Sequence, residues 1–122
     1  MKRKDIHHVY VAAPYSSDPE QRTSEAITYA TNLITCGYTP FVPHLCHFWD
    51  KQWPHDYDFW MSYVTSWIKK CDAVARIPGH SPGADLECKI ARVYGVPIFD
   101  AISFLMDNQP KEYTDGLQTD DN

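Results

Sequence analysis

The chain has 122 residues, 43% of them hydrophobic, enough for one apolar core and too much for a disordered polymer. Eleven basic against sixteen acidic residues leave a net charge of −5, the wrong sign for a surface that tracks a nucleic-acid backbone. A nucleic-acid polymer is therefore not an expected partner, whereas a free nucleotide needs only a few local donors. No apolar run has the length of a membrane span, and the opening Met1-Lys2-Arg3-Lys4-Asp5-Ile6 lacks a signal-peptide stretch. The four cysteines, Cys36, Cys46, Cys71 and Cys88, have no CxxC spacing and read as reduced thiols of a cytoplasmic protein. Four Trp and eight Tyr exceed what one small core hides, so some are expected at a pocket or a subunit contact.

In chain order, Ile6 to Ala13 reads as a first strand, with Val9 and Val11 on one face and Tyr10 and Ala12 on the other. After the loop Pro14-Tyr15-Ser16-Ser17, the run Asp18-Pro19-Glu20 opens a helix with a capping carboxylate, a first-turn Pro and an acid. Ala26, Tyr29, Ala30, Leu33 and Ile34 recur at helical spacing, and Gly37 stops the helix. Thr39 to Val42 is a short strand. From Pro43 to Tyr57 prolines, histidines and tryptophans follow no period, which predicts a long loop of functional character.

Asp56 to Lys70 is predicted helical, with Phe59, Trp60, Tyr63, Val64, Trp67 and Ile68 as its buried stripe. Asp72 to Ile77 makes a third strand, Gly83 to Tyr94 a helix ending at Gly95, and Val96 to Phe99 a fourth strand. Ala101 to Met106 fits a last short helix. One domain over 1–107 is expected, followed by a polar, acidic and mobile tail over 108–122. Strands alternating with helices predict an α/β three-layer sandwich with a parallel sheet of four to five strands. Right-handed crossovers then bring the loops at 12–18, 43–56 and 77–83 to one sheet edge, where open α/β sheets bind ligands.

The segment Ser81-Pro82-Gly83-Ala84-Asp85-Leu86-Glu87 carries the most chemistry. Ser81 reads as a helix N-cap that turns free N–H groups toward the loop edge. Glu87 lies one turn in, and its helical neighbours three, four and seven residues on are Ile90, Ala91 and Tyr94. A carboxylate on that stripe faces the sheet, where it requires a donor, a proton or a substrate; a plain capping or salt-bridged acid is the bland alternative. Tyr10, on strand one, gains interest from being within reach of Glu87. Arg76, inside an apolar strand, is expected at the loop edge, able to meet an anion. Asp72 reads as the anchor of a turn or helix end. The histidines of Pro43-His44-Leu45-Cys46-His47 do not have the spacing that fixes a tetrahedral metal site, so His44 and His47 are read as pocket walls and no metal is expected. There is no Gly-rich phosphate loop and no nucleophile elbow, and no cofactor is expected.

Taken together, Val9-Tyr10-Val11-Ala12-Ala13-Pro14-Tyr15-Ser16, Pro40-Phe41-Val42-Pro43-His44, Cys71-Asp72-Ala73 and Ser81-x-Gly83-x-x-x-Glu87 resemble the nucleoside 2-deoxyribosyltransferase-like superfamily, in particular its small branch found in phages and bacteria. The resemblance covers about residues 6 to 100. It implies a flavodoxin-like (Rossmann-like) sheet and cleavage or transfer at the N-glycosidic bond of a nucleoside or nucleoside 5′-monophosphate. It implies Glu87 as nucleophile, Tyr10 as its catalytic partner and Ser81 as a contact of the 5′-phosphate; joined to the reading of the residues, this gives Ser81, Gly83, Pro14, Tyr15, His44, Asp72 and Arg76 as the expected substrate-binding set. A homodimer or larger homo-oligomer is implied as well, in the host cytoplasm if the gene is a phage's. Val64 stands where several members carry a substrate-contacting Asp, with Asp58 or Asp85 as candidates to replace it, and Ala13-Pro14 stands for a Gly-Ser. The alternative readings are a non-catalytic nucleotide-binding module with the same pocket, and a protein whose surplus aromatics serve assembly.

Overall fold

The alternation of β1 (His8–Ala12) decides the layering. In the computed structural model, which describes residues 5–106 and 113, Val9 and Val11 join an apolar cluster on one side of the sheet, and Tyr10 and Ala12 join another on the opposite side. β1 lies between β2 (Thr39–Phe41) and β3 (Ala73–Arg76), and β4 (Ile98–Asp100) pairs with β3. All three pairings are parallel. The order β2-β1-β3-β4 is that of a flavodoxin-like sheet, whose topological switch point falls between β1 and β3.

Helices cover both faces of these strands. α1 (Pro19–Thr35) and α5 (Ala101–Met106) pack Ala26, Ala30, Leu33, Ala101 and Phe104 onto the Val9/Val11 side. α3 (Tyr57–Lys70) and α4 (Pro82–Val93) pack Val64, Ile68, Ala84, Cys88 and Ala91 onto the Tyr10/Ala12 side. The two predicted caps form, Asp18 accepting from the Gln21 N–H at 3.3 Å and Ser81 from the Ala84 N–H at 3.1 Å, and Asp56 caps α3 likewise, accepting from the Phe59 N–H at 2.9 Å. α1 stops where Gly37 takes a φ of 97°, a left-handed turn that glycine adopts without steric cost.

Two expectations are corrected. Residues 43–57 are not one irregular loop: a 3-10 turn at Pro43–Leu45 runs into α2 (Cys46–Gln52). α2 shows no apolar period because only Cys46 among its residues is buried, and the rest face the cavity or solvent. The stripe of α3 is also narrower than predicted. Val64 and Ile68 reach the sheet, while Phe59 and Trp67 are exposed at 36% and 39%. The expected tail lies outside the described residues except for Tyr113, whose N–H donates to the Ile98 carbonyl at 2.8 Å. No helix among the described residues is long and apolar enough to cross a membrane.

Candidate active site

The carboxyl ends of β1, β2 and β3 open into a cavity of about 400 Å³, within the range of small-molecule sites. Its walls come from the three segments that parallel topology brings to one edge: Ala13, Tyr15 and Ser16 after β1; Pro43, His44, Cys46, His47 and Asp50 after β2; Ser81, Gly83, Ala84 and Glu87 after β3. Tyr57, Trp60, Met61 and Val64 of α3 close the remaining side.

Glu87 sits one turn into α4 between Ala84 and Ala91, both buried against the sheet, so its side chain is directed inward. It lines the cavity, and the Tyr10 hydroxyl donates to its Oε2 at 2.5 Å. Tyr10 is wholly buried in the middle of β1 and stacks on Phe41, centroids 5.6 Å apart. The phenol is thus fixed by the core, and through it the carboxylate is fixed too. Burial raises the Glu87 carboxyl from its ordinary 4.5 to about 7, while the Tyr10 hydrogen bond and the Arg76 charge pull it down. Burial and the Glu87 charge together hold the Tyr10 hydroxyl well above its ordinary value. At neutral pH this arrangement offers a carboxylate that is desolvated, aimed and close to its own titration point.

The remaining expected site residues divide. Ser81 and Gly83 line the cavity at the N-terminal end of α4. An added Cβ at Gly83 would meet no atom within 4 Å, so the space beside it belongs to the cavity. Tyr15 and His44 line it as well, with their rings in edge contact. Nε2 of the buried His44 donates to the Pro14 carbonyl at 2.8 Å, and burial lowers its pKa, which keeps the ring neutral. Pro14 supports the wall from behind. Its ring packs against Gly79, where φ is 130° and an added Cβ would approach Pro14 Cγ to 2.9 Å.

Asp72 and Arg76 do not reach the cavity. Asp72 stands at the opposite edge of the sheet, where its carboxylate accepts from the His7 and His8 N–H groups at 2.8 and 2.9 Å. Those amides hold its carboxyl below the ordinary carboxylate range. It is a tie at the strand entrance, in keeping with an anchoring role and not with substrate contact. Arg76 is at the loop edge as expected, but its guanidinium is buried and turned to protein: it donates to Ile77 O, to Gly79 O at 3.0 Å and to Asp85 Oδ1 at 2.9 Å. Arg76 therefore clamps the 77–79 turn to the first turn of α4. Asp85 is occupied by this pair, and Asp58 lies exposed in the first turn of α3, so neither replaces the carboxylate absent at Val64.

His47 is a pocket wall as expected and lies flat on Tyr15, centroids 3.6 Å apart and planes 5° from parallel. Asp50 is a wall residue that escapes sequence reasoning. Asp50 lines the cavity and accepts at Oδ1 from the Trp60 indole N–H at 2.6 Å and the His55 N–H at 2.9 Å. A Trp ten residues after an Asp is the signal present in the sequence, unreadable without knowing that α2 turns back on α3. No group of three or more His, Cys, Asp or Glu among the described residues is placed to hold a metal ion.

Fold and cavity together define a parallel α/β protein with a carboxylate–phenol pair at its strand-end cleft. The chain belongs to the family described as Domain of unknown function (DUF7768), whose model matches residues 7–101. Among solved structures it is similar to a 2-deoxyribosyltransferase from the psychrotolerant bacterium Bacillus psychrosaccharolyticus, at 22% identity and a TM-score of 0.49 over 75% of this chain and 69% of that one. No curated protein matches the sequence.

Proposed function

We propose that the protein cleaves or transfers at the N-glycosidic bond of a nucleoside or nucleoside 5′-monophosphate, with Glu87 as nucleophile. The observation that carries this reading is the 2.5 Å bond from a core-fixed Tyr10 to a carboxylate that opens onto an aromatic-walled cavity. A carboxylate held against C1′ suits a reaction whose transition state is an electron-poor, oxocarbenium-like sugar.

In the proposed step a Glu87 carboxylate oxygen forms a bond to C1′ as the C1′–N bond breaks. The bonding pair leaves with the base, which takes up a proton from solvent; the attacking water or second base later gives one back. Water, or a nitrogen of a second base, then attacks C1′ and returns the carboxylate, so two inversions give net retention. Tyr10 is the positioning partner of the nucleophile: its hydroxyl, far too weak an acid to ionise here, donates to Glu87 throughout. Burial strips water from Glu87 and sharpens its attack, while keeping its pKa close enough to neutrality for the ionised form to be populated. Tyr15, His47, Tyr57 and Trp60 supply flat faces for a base. Ser81 and Gly83 border the positive end of α4 and suit the 5′ end of the sugar, phosphorylated or not.

The alternative is a non-catalytic nucleotide-binding module, and the observation that favours it is Val64, an apolar side chain in the cavity wall where the resembled enzymes carry an Asp. One experiment separates them. Ribo- and deoxynucleosides and their monophosphates are incubated with the protein and released base is measured by chromatography. Turnover abolished by Glu87→Gln supports glycosyl chemistry; tight binding without turnover supports the binding module. Assembly as a homo-oligomer belongs to the proposal, and light scattering coupled to gel filtration tests it.

A further inference from the structure

We infer that Asp50 selects the leaving base, accepting a hydrogen bond from the exocyclic amino group of a base held between the aromatic side chains of the cavity. The inference deepens the glycosidic reading of this site and rests on it for the identity of the ligand.

Cys46, His47 and Asp50 all line the cavity from one short helix, a three-to-four residue spacing that puts them on a common face. Cys46 lies where the Glu87 charge still raises its thiol pKa. Asp50 is one helical turn further on, about 6 Å along the axis, so that with C1′ held at Glu87 it is available to the base. Aromatic groups flank it on both sides. His47 stacks on Tyr15 within α2's neighbourhood, and Trp60 and His55, which belong to a second ring cluster, both donate to Asp50 itself.

Those two donors converge on the same oxygen. Oδ1 takes the indole N–H and the backbone N–H, and Oδ2 has no partner among the described residues. If tying α2 to α3 were the whole role of Asp50, one oxygen would suffice, as would an amide. A carboxylate instead leaves a rigidly held, charged acceptor at the cavity wall. The His55 amide and Trp60 indole also hold its carboxyl below the ordinary carboxylate range, so it stays ionised. No lysine or arginine is among the lining residues to neutralise it. An acceptor of this kind, facing the exocyclic position of the base, welcomes an amino group and repels a carbonyl oxygen at the same place. The site is therefore selective for bases with an exocyclic amino group, such as adenine or cytosine, over their oxo counterparts hypoxanthine and uracil.

Equilibrium binding by calorimetry, in the Glu87→Gln protein so that nothing turns over, reads this directly. The ligands are adenosine, inosine, cytidine and uridine, each also as its 2′-deoxy form. The expected result is a preference of about tenfold to a hundredfold for the amino over the oxo base in each pair. Asp50→Asn, whose amide also donates, is expected to erase or reverse that preference. Equal affinities for the amino and oxo partners overturn the inference without any Asp50 variant, should that variant fold poorly. So does an Asp50→Asn effect that follows the 2′ substituent instead of the base, which would make Asp50 a sugar contact. Base release by the wild-type protein is scored separately: preference without release defeats the glycosidic reading and leaves the selectivity standing, and release without preference does the reverse.

Discussion

Val9 and Val11 turn toward α1 and α5 and end in an apolar cluster, whereas Tyr10, between them, turns toward α3 and α4 and ends on a carboxylate. The same strand thus builds two different interiors. On the Val9/Val11 side the helices close over the sheet with Leu33, Ala26 and Phe104, all buried. On the Tyr10 side a second apolar cluster forms, and Trp60, Tyr57 and Met61 of α3 border a cavity over the carboxyl edge. Both faces hold the fold together by burying apolar area, at roughly 25 cal/mol per Å². The Tyr10 side also carries a buried acid whose ionisation weakens the fold. The candidate site therefore costs stability that the apolar clusters of the two faces supply.

The sharpest way to break this division is Glu87→Gln. Base release is expected to fall on the order of 10³-fold or more, with the unfolding midpoint unchanged or higher, since a desolvated acid is replaced by a neutral isostere. The pH dependence follows from the raised pKa. Below pH 4.5 the carboxyl is protonated in both folded and unfolded chains and has no effect. Between 4.5 and about 7 the unfolded chain loses the proton that the folded chain keeps, so stability falls as pH rises and levels off above about 7. Urea titrations across this window check the slope, which Glu87→Gln is expected to flatten. Activity has the opposite sign, rising through pH 7 as the nucleophile ionises.

On the other face, Leu33→Ala removes a fully buried side chain and is expected to cost about 2–5 kcal/mol by urea unfolding, with ligand affinity intact. Ligand affinity lost in proportion would show that the two faces are not separable. Tyr10→Phe is a smaller perturbation, expected to slow base release about ten- to a hundredfold and to cost about 1 kcal/mol of stability. It also shifts the pH–rate profile of release upward, because the hydrogen bond that lowers the Glu87 pKa is gone. Gly79→Ala should cost about 1–3 kcal/mol, through its φ of 130° and the approach to Pro14. A wild-type midpoint for that variant would show that Pro14 is not braced as described.

Much of this arrangement was legible along the chain because local physics wrote it there. The alternation at 9–12, the Asp18-Pro19 start, the Ser81 cap and the inward face of Glu87 each follow from period or capping chemistry, and each is found. What was not legible depends on distant partners. Asp72 finds its amides 65 and 64 residues earlier in the chain, and Arg76 finds carbonyls in a turn that exists only once the sheet is formed. α2 lacks a period because it is held by Cys46 and by Asp50's bonds to His55 and Trp60, not by a continuous apolar stripe. Asp50 was missed for the same reason.

The account's central claim is tested most directly by rapid-quench mass spectrometry of the protein mixed with a nucleoside it cleaves. The tryptic peptide from Ile77 to Lys89, which contains Glu87, is expected to gain the mass of one pentosyl group, and the Glu87→Gln protein is expected to show no such gain. Base release without that adduct, or an adduct that survives Glu87→Gln, would contradict it.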